Sequence, residues 1–211
     1  MTAAAYTPRE ELANGLTHGA GIIASTVGAI ILIGLASEAG TTEVVAVSVF
    51  AASLILLYSA STLYHTSGNE KARSRLKVFD HCAIYVLIAG TYTPFTLVGL
   101  RGAWGWSLFG VIWGLAAAGV VFKLFFTGRF NRVSTGIYIA MGWLIVIAGA
   151  PTVRALAPAT LAWLFAGGIA YTGGTFFYHN KRIPYTHAIW HVFVLTGSVC
   201  HAIAVGLQLG G

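Results

Sequence analysis

Four side chains in this sequence have the types and spacing for metal-assisted hydrolysis: His65, Asp80, His187 and His191. His187 and His191 stand four positions apart, which turns both imidazoles to one helix face, about 6 Å apart along the axis. With His65 they make three imidazoles, and three imidazoles with a fourth position left for water are the ligand set of a catalytic zinc. Asp80 supplies a carboxylate, which can orient a zinc-bound water or take its proton, since zinc lowers the pKa of that water to about 7. An aspartate also caps helices well, and both roles can hold together. Ser61 precedes His65 by one turn on the same face. Its hydroxyl could bond toward the site or to water on the metal; the ordinary alternative is a bond to its own i−4 carbonyl.

Other polar residues gather around this set. Glu11, Asn14 and His18 recur at i, i+3 and i+7, one stripe of a helix entering an apolar stretch. Such a stripe could hydrogen-bond to the histidine cluster or to neighbouring helices, or lie solvated on a membrane surface. His81 points about 100° around the helix from Asp80 and is a poorer ligand candidate. His201 lies roughly 15 Å beyond His191, too far for the same metal, and is expected to bond across helices. His179 reads as a loop residue. Ser61, His65 and Asp80 could also be read as a hydrolytic triad, but that reading leaves His187 and His191 idle and provides no sharp turn at the serine.

The elements that must position these residues are membrane spans. Of the 211 residues, 57% are hydrophobic and 9% charged, far too little charge to cover a soluble domain, where about 25% is usual. Seven stretches reach the roughly 20 apolar residues a span needs, at about 17–36, 44–64, 79–99, 104–126, 133–150, 160–178 and 186–207. The expected fold is an all-α membrane protein, a single-domain seven-transmembrane helix bundle over residues 1–211. Lys and Arg fix the orientation. With seven spans, ten of the twelve fall on the side of the N-terminus and only Arg101 and Arg154 on the other. The N-terminus is then cytoplasmic and the C-terminus outside, and His18, His65, Asp80, His187 and His191 all come to the cytoplasmic boundary. Ionisable groups at that depth are costly and usually functional. The net charge of +6 follows this topology and gives no nucleic-acid face.

Smaller features concern packing. Gly15/Gly19, Gly110/Gly114 and the glycines at 167, 168, 173 and 174 suit close helix contacts. Trp104 and Trp106 suit an interfacial belt. Pro94 should kink the third span, with Thr91 and Thr93 able to satisfy freed backbone groups. Pro151 and Pro158 flank an expected loop after a fifth span of marginal length. Cys82 and Cys200 fall in apolar runs and are expected to be buried and unpaired. The residues before the first run lack the pattern of a secretory signal.

The set Glu11-x-x-Asn14-x-x-x-His18, Ser61-x-x-x-His65, Asp80 and His187-x-x-x-His191 resembles the progestin and adipoQ receptor family. Ser61-Thr62-Leu63-Tyr64-His65 and His187-Ala188-Ile189-Trp190-His191-Val192-Phe193 look like its bacterial haemolysin III branch. The resemblance covers essentially the whole chain. It implies zinc held by His65, His187 and His191, Asp80 contacting the zinc-bound water and Ser61 supporting the site. It also implies kinship with membrane hydrolases that include alkaline ceramidases.

The reading that joins residues and resemblance is a zinc-dependent lipid amide or ester hydrolase of the bacterial inner membrane, with membrane lipids as partners. The alternatives are a non-enzymatic sensor or homeostasis protein with structural zinc, and a channel or cytolysin. An open fourth coordination position beside a lipid-sized cavity favours the enzyme. A closed site favours the sensor, and a continuous hydrated path favours the channel.

Overall fold

The computed structural model describes residues 6–180 and 182–210. These residues form helices and short connections, with no strand among them. Helix α1 spans Pro8–Ala39, α2 Thr41–Thr66, and α3 Glu70–Pro94, which runs on as a π-helical segment, Phe95–Leu100. Helix α4 spans Gly102–Phe126 and α5 Asn131–Gly142; a 3₁₀ stretch, Leu144–Ala148, joins α5 to α6, Gly149–Ala155. Helix α7 spans Pro158–His179 and α8 Thr186–Leu209. Six helical stretches are long and apolar enough to cross a membrane. Helix α7 covers the sixth expected span with 22 residues, a sufficient length at 1.5 Å per residue. It is less apolar because four glycines, Tyr171, Tyr178 and several threonines replace aliphatic side chains.

Local chemistry sets the helix ends. Thr7 and Glu10 form a reciprocal capping box with Pro8 in the first turn, so α1 starts about nine residues before the first apolar run. Asn69 caps α3 by accepting from the Ala72 amide at 3.0 Å. The helix therefore starts before Asp80, and Asp80 lies well inside it rather than at its cap.

Pro94 acts as expected, though with different partners. Lacking an amide hydrogen, it cannot continue the α-helical ladder, which widens into the π-helical segment. Thr93 and Thr96, rather than Thr91, turn their hydroxyls onto the Ala89 and Tyr92 carbonyls, each at 2.9 Å. Gln208 of α8 donates to the Pro94 carbonyl at 3.0 Å.

The expected loop between Pro151 and Pro158 is mostly helix: Pro151 sits in the first turn of α6, where its missing donor costs little. The irregularity lies earlier, at Trp143. There the Tyr92 hydroxyl bridges the break, donating toward the Met141 and Gly142 carbonyls and accepting from the Ile145 amide.

Helices α1 and α2, α2 and α3, and α7 and α8 pack along their lengths, and α1 also lies against α8. One hydrophobic cluster, around Phe50, Leu54, Tyr58 and Val205, joins α1, α2, α3 and α8. A second, around Tyr85, Ile112 and Met141, joins α3, α4 and α5. Helix α5 meets α3 and α7 at few points, and this looser side borders a cavity.

Small residues set the close approaches, though not all those expected. A Cβ on Gly174 would lie 2.6 Å from the Phe193 Cβ, so α7 and α8 touch there because the position is glycine. Around Gly110 and Gly114 nothing lies within 4 Å among the described residues, so that pair makes no helix contact. Cys82 and Cys200 are buried and free, as the sequence suggested.

Candidate metal centre

Two helix ends bring the histidines together. His65 occupies the last turn of α2, and His187 and His191 the first two turns of α8. One ligand atom from each of the three lies within 4.8 Å of the other two. The ring centroids are 5.0 Å apart for His65 and His187, 5.2 Å for His65 and His191, and 4.5 Å for His187 and His191. Helices α2 and α8 barely touch directly, and α1 fills the space between them.

Helix α1 also orients the rings. The Nδ1 of His65 meets the Glu11 carboxylate at 2.6 Å, and Glu11 is held from its other side by Arg73. The Nδ1 of His191 lies 3.1 Å from the Asn14 main-chain carbonyl, and the Thr17 hydroxyl is also 3.1 Å away. A carboxylate and a carbonyl only accept, so both Nδ1 atoms carry the proton and each Nε2 keeps its lone pair. The Nε2 of His65 is buried with no hydrogen-bond partner among the described residues. His187 differs, since its Nδ1 is buried with no hydrogen-bond partner among the described residues. Two imidazoles oriented through Nδ1 and a third beside them, all with a ligand atom within 4.8 Å of the others, make a donor set of the kind zinc takes. The three residues therefore fit the ion.

The other expected residues distribute as follows. Asp80 stands beside the triad, close enough to His65 and His187 to interact with them electrostatically. Its carboxylate is 3.3 Å from the His81 Nδ1, which also meets the Lys77 carbonyl at 2.7 Å. Ser61 is buried and makes no bond to its own i−4 carbonyl; its hydroxyl has no partner among the described residues. An orphan of this kind costs about 1–3 kcal/mol unless water or a ligand meets it. His18 stacks on His191 with centroids 3.5 Å apart, and neither of its ring nitrogens has a hydrogen-bond partner among the described residues. His201 bonds the Leu164 carbonyl across to α7 at 3.1 Å. His179 belongs to the last turn of α7 rather than a loop and meets the Thr135 hydroxyl at 3.0 Å.

Sequence reasoning missed Tyr6, Thr17 and Arg73. Each is an ordinary residue at its own position and acquires a role only through a distant helix. Tyr6 packs its ring 5.1 Å from that of His187. Burial, with Tyr178 and Tyr64 adding to it, raises the Tyr6 phenol above its ordinary value, so it stays protonated.

A cavity of about 580 Å³ opens beside the triad. Its lining includes His18, His187, His191 and Asp80 along with apolar side chains such as Leu87, Phe95, Leu164 and Phe165. Along α3 the wall from Asp80 to Phe95 runs about 22 Å, long enough for an acyl chain.

The family described as haemolysin-III related matches residues 6–202. The chain belongs to the haemolysin III family. Among its relatives, the hemolysin-3 homolog of Bacillus subtilis (strain 168) is 47% identical over 92% of this chain and 91% of its own. Hemolysin-3 of Bacillus cereus is 48% identical over 94% of this chain and 91% of its own. The human monocyte to macrophage differentiation factor is 28% identical over 93% and 83%. It is one of the more distant members of the progestin and adipoQ receptor family, of which the haemolysin III proteins form the bacterial branch. The matched range includes the histidine cluster described above, from Glu11 to His191.

Proposed function

We propose that the protein is a zinc-dependent hydrolase that cleaves the amide or ester bond of a membrane lipid. One observation carries this reading: three imidazoles with ligand atoms within 4.8 Å of one another stand beside a lipid-sized, mainly apolar cavity, and two of them, His187 and His191, line it together with Asp80. Zinc held by His65, His187 and His191 supplies Lewis acidity and lowers the pKa of water to about 7. The chain's own groups do the rest. Glu11 and the Asn14 carbonyl fix the tautomer and direction of two ligand rings. The apolar wall from Ile84 to Phe95 aligns the chain of the lipid, with its carbonyl at the histidine end. The Asp80 carboxylate takes a proton from water and returns it to the leaving group. Ser61 has a spare hydroxyl beside His65 to anchor that water.

The topology belongs to the same proposal. With seven spans, α7 included, the ten-to-two division of Lys and Arg puts the N-terminus in the cytoplasm, and a bacterial inner membrane suits that arrangement. The Bacillus relatives are named for haemolysis. Lipid cleavage can damage a membrane without a pore, and the interior filled by two hydrophobic clusters favours that route.

Asp80→Asn is the discriminating variant. It keeps size and hydrogen bonding and removes the base; Asp80 caps no helix, so folding should survive. Zinc content should equal that of the wild type, while turnover of lipid amides or esters should fall by about 10²-fold or more. Equal turnover in both proteins would remove Asp80 from the chemistry. Zinc-loaded wild type that cleaves nothing in a broad panel of lipid amides and esters would sink the hydrolase reading and favour the sensor.

A further inference from the structure

The wall of α3 that borders the cavity continues past Asp80 toward the start of the helix. Lys77, Asp80, Ile84, Leu87, Thr91 and Phe95 all line the cavity, and their three- and four-residue spacing makes them one stripe. Lys77 is thus a cation at the cavity mouth, one turn beyond the proposed base. Near it stands the connection between α4 and α5, where Gly128, and Asn131 at the start of α5, also line the cavity. A Cβ built on Gly128 would lie 3.8 Å from the Lys77 Nζ. Gly128 has φ +82°, a left-handed conformation that glycine adopts without strain.

The carboxylates near this mouth are engaged elsewhere. Glu11 is held by Arg73 and His65, and Asp80 lies beside His81. No ion pair or hydrogen bond to the Lys77 amine occurs among the described residues. A second amine, that of Lys123, belongs to the last turn of α4 and does not line the cavity. Lys123 is fully buried, and its Nζ has no hydrogen-bond partner among the described residues. Lys77 therefore meets the cavity as a cation with no ion-pair partner among the described residues, a charge that an entering anion would pair with.

We infer that the cavity mouth between α3 and the α4–α5 connection binds the phosphate of an acyl lipid, with Lys77 as its contact and the acyl chain in the apolar cavity. The spacing agrees with this. Lys77 precedes Asp80 by three residues, a rise of about 4.5 Å, comparable to the reach of the three-carbon spacer between a phosphate and an ester carbonyl in a glycerolipid. The inference rests on the proposed hydrolase reading for which bond is cleaved, but its binding part stands apart from turnover.

The test uses the full chain in an uncharged detergent and compares dioleoyl phosphatidic acid, dioleoylglycerol and inorganic phosphate as competitors for a fluorescent lipid. Wild type should prefer the phosphatidic acid over the diacylglycerol by tenfold or more. Lys77→Met should abolish that preference, Lys77→Arg should restore most of it, and Arg75→Met, at an exposed neighbouring position, should leave it unchanged. Loss of preference in Lys77→Met with diacylglycerol binding retained shows that the cavity is intact. An undiminished preference in Lys77→Met, or no preference in wild type, overturns the inference. Inorganic phosphate should compete weakly; competition as strong as that of the phosphatidic acid overturns the lipid assignment. The two readings fail separately. A preference without turnover would sink the hydrolase and keep the phosphate site, and turnover of lipids without such a preference would do the reverse.

Discussion

At the residue scale, the ligand rings and the groups that aim them come from different helices. His65 belongs to α2 and His191 to α8, yet the Nδ1 of each ends on α1, at Glu11 and at the Asn14 carbonyl. Removing a ligand and removing its support should therefore differ in size. In His187→Ala or His191→Ala two imidazoles remain, and zinc affinity should drop by orders of magnitude. In Glu11→Ala the three ligands stay but His65 loses the acceptor that fixes its tautomer, and affinity should fall by about 10–100-fold. His201→Ala should keep full zinc content, because His201 bonds α7. Metal analysis of the purified proteins, with a chelator competition for affinity, checks all three. If Glu11→Ala binds zinc as tightly as wild type, the orienting role is wrong. The meeting of the three histidines was legible in the sequence because two of them share a helix face and the third ends an apolar run. Arg73 and Thr17 were not, because nothing in their local pattern points to the partner that gives them a task.

At the element scale, a small residue matters only where a neighbouring helix meets it. Gly174 faces Phe193 and Trp190 at 2.6–2.9 Å from a would-be Cβ. Gly174→Val should force α7 from α8 and cost about 1–3 kcal/mol by overpacking, read as a lower melting temperature in detergent. Gly110→Ala, with open space around it, should leave that temperature unchanged or slightly raised. Equal destabilisation by both would mean that α4 packs against something through Gly110. The two glycine patterns look alike in sequence; whether the facing surface is lipid or helix is a tertiary fact. The break at Trp143 was illegible for the same reason, since it depends on the Tyr92 hydroxyl of α3. The π-helical segment after Pro94 was half legible: proline announces the disturbance, but the Thr96 and Gln208 groups that settle it lie further along the chain.

At the scale of the whole molecule, the charge distribution predicts a direction. A reporter fused after Gly211 should read as periplasmic, and one placed in the 66–70 connection as cytoplasmic. A cytoplasmic signal from the C-terminal fusion would mean that one of the seven proposed spans does not cross, with the less apolar α7 the first suspect. The helical class was legible from composition, and the approximate place of each helix from the apolar runs. The cavity was not, because it arises where α5 packs loosely, a property no single stretch carries. The separation of the ligands along the chain has its own consequence. His65 leaves the ribosome early, but His187 and His191 arrive with the last helix, and α1, made first, must close against α8, made last, before the rings converge. A metal ion seated there would cross-link the beginning and the end of biosynthesis. Loading would report that insertion is complete, and a chain stalled before α8 would stay empty and open to quality-control proteolysis.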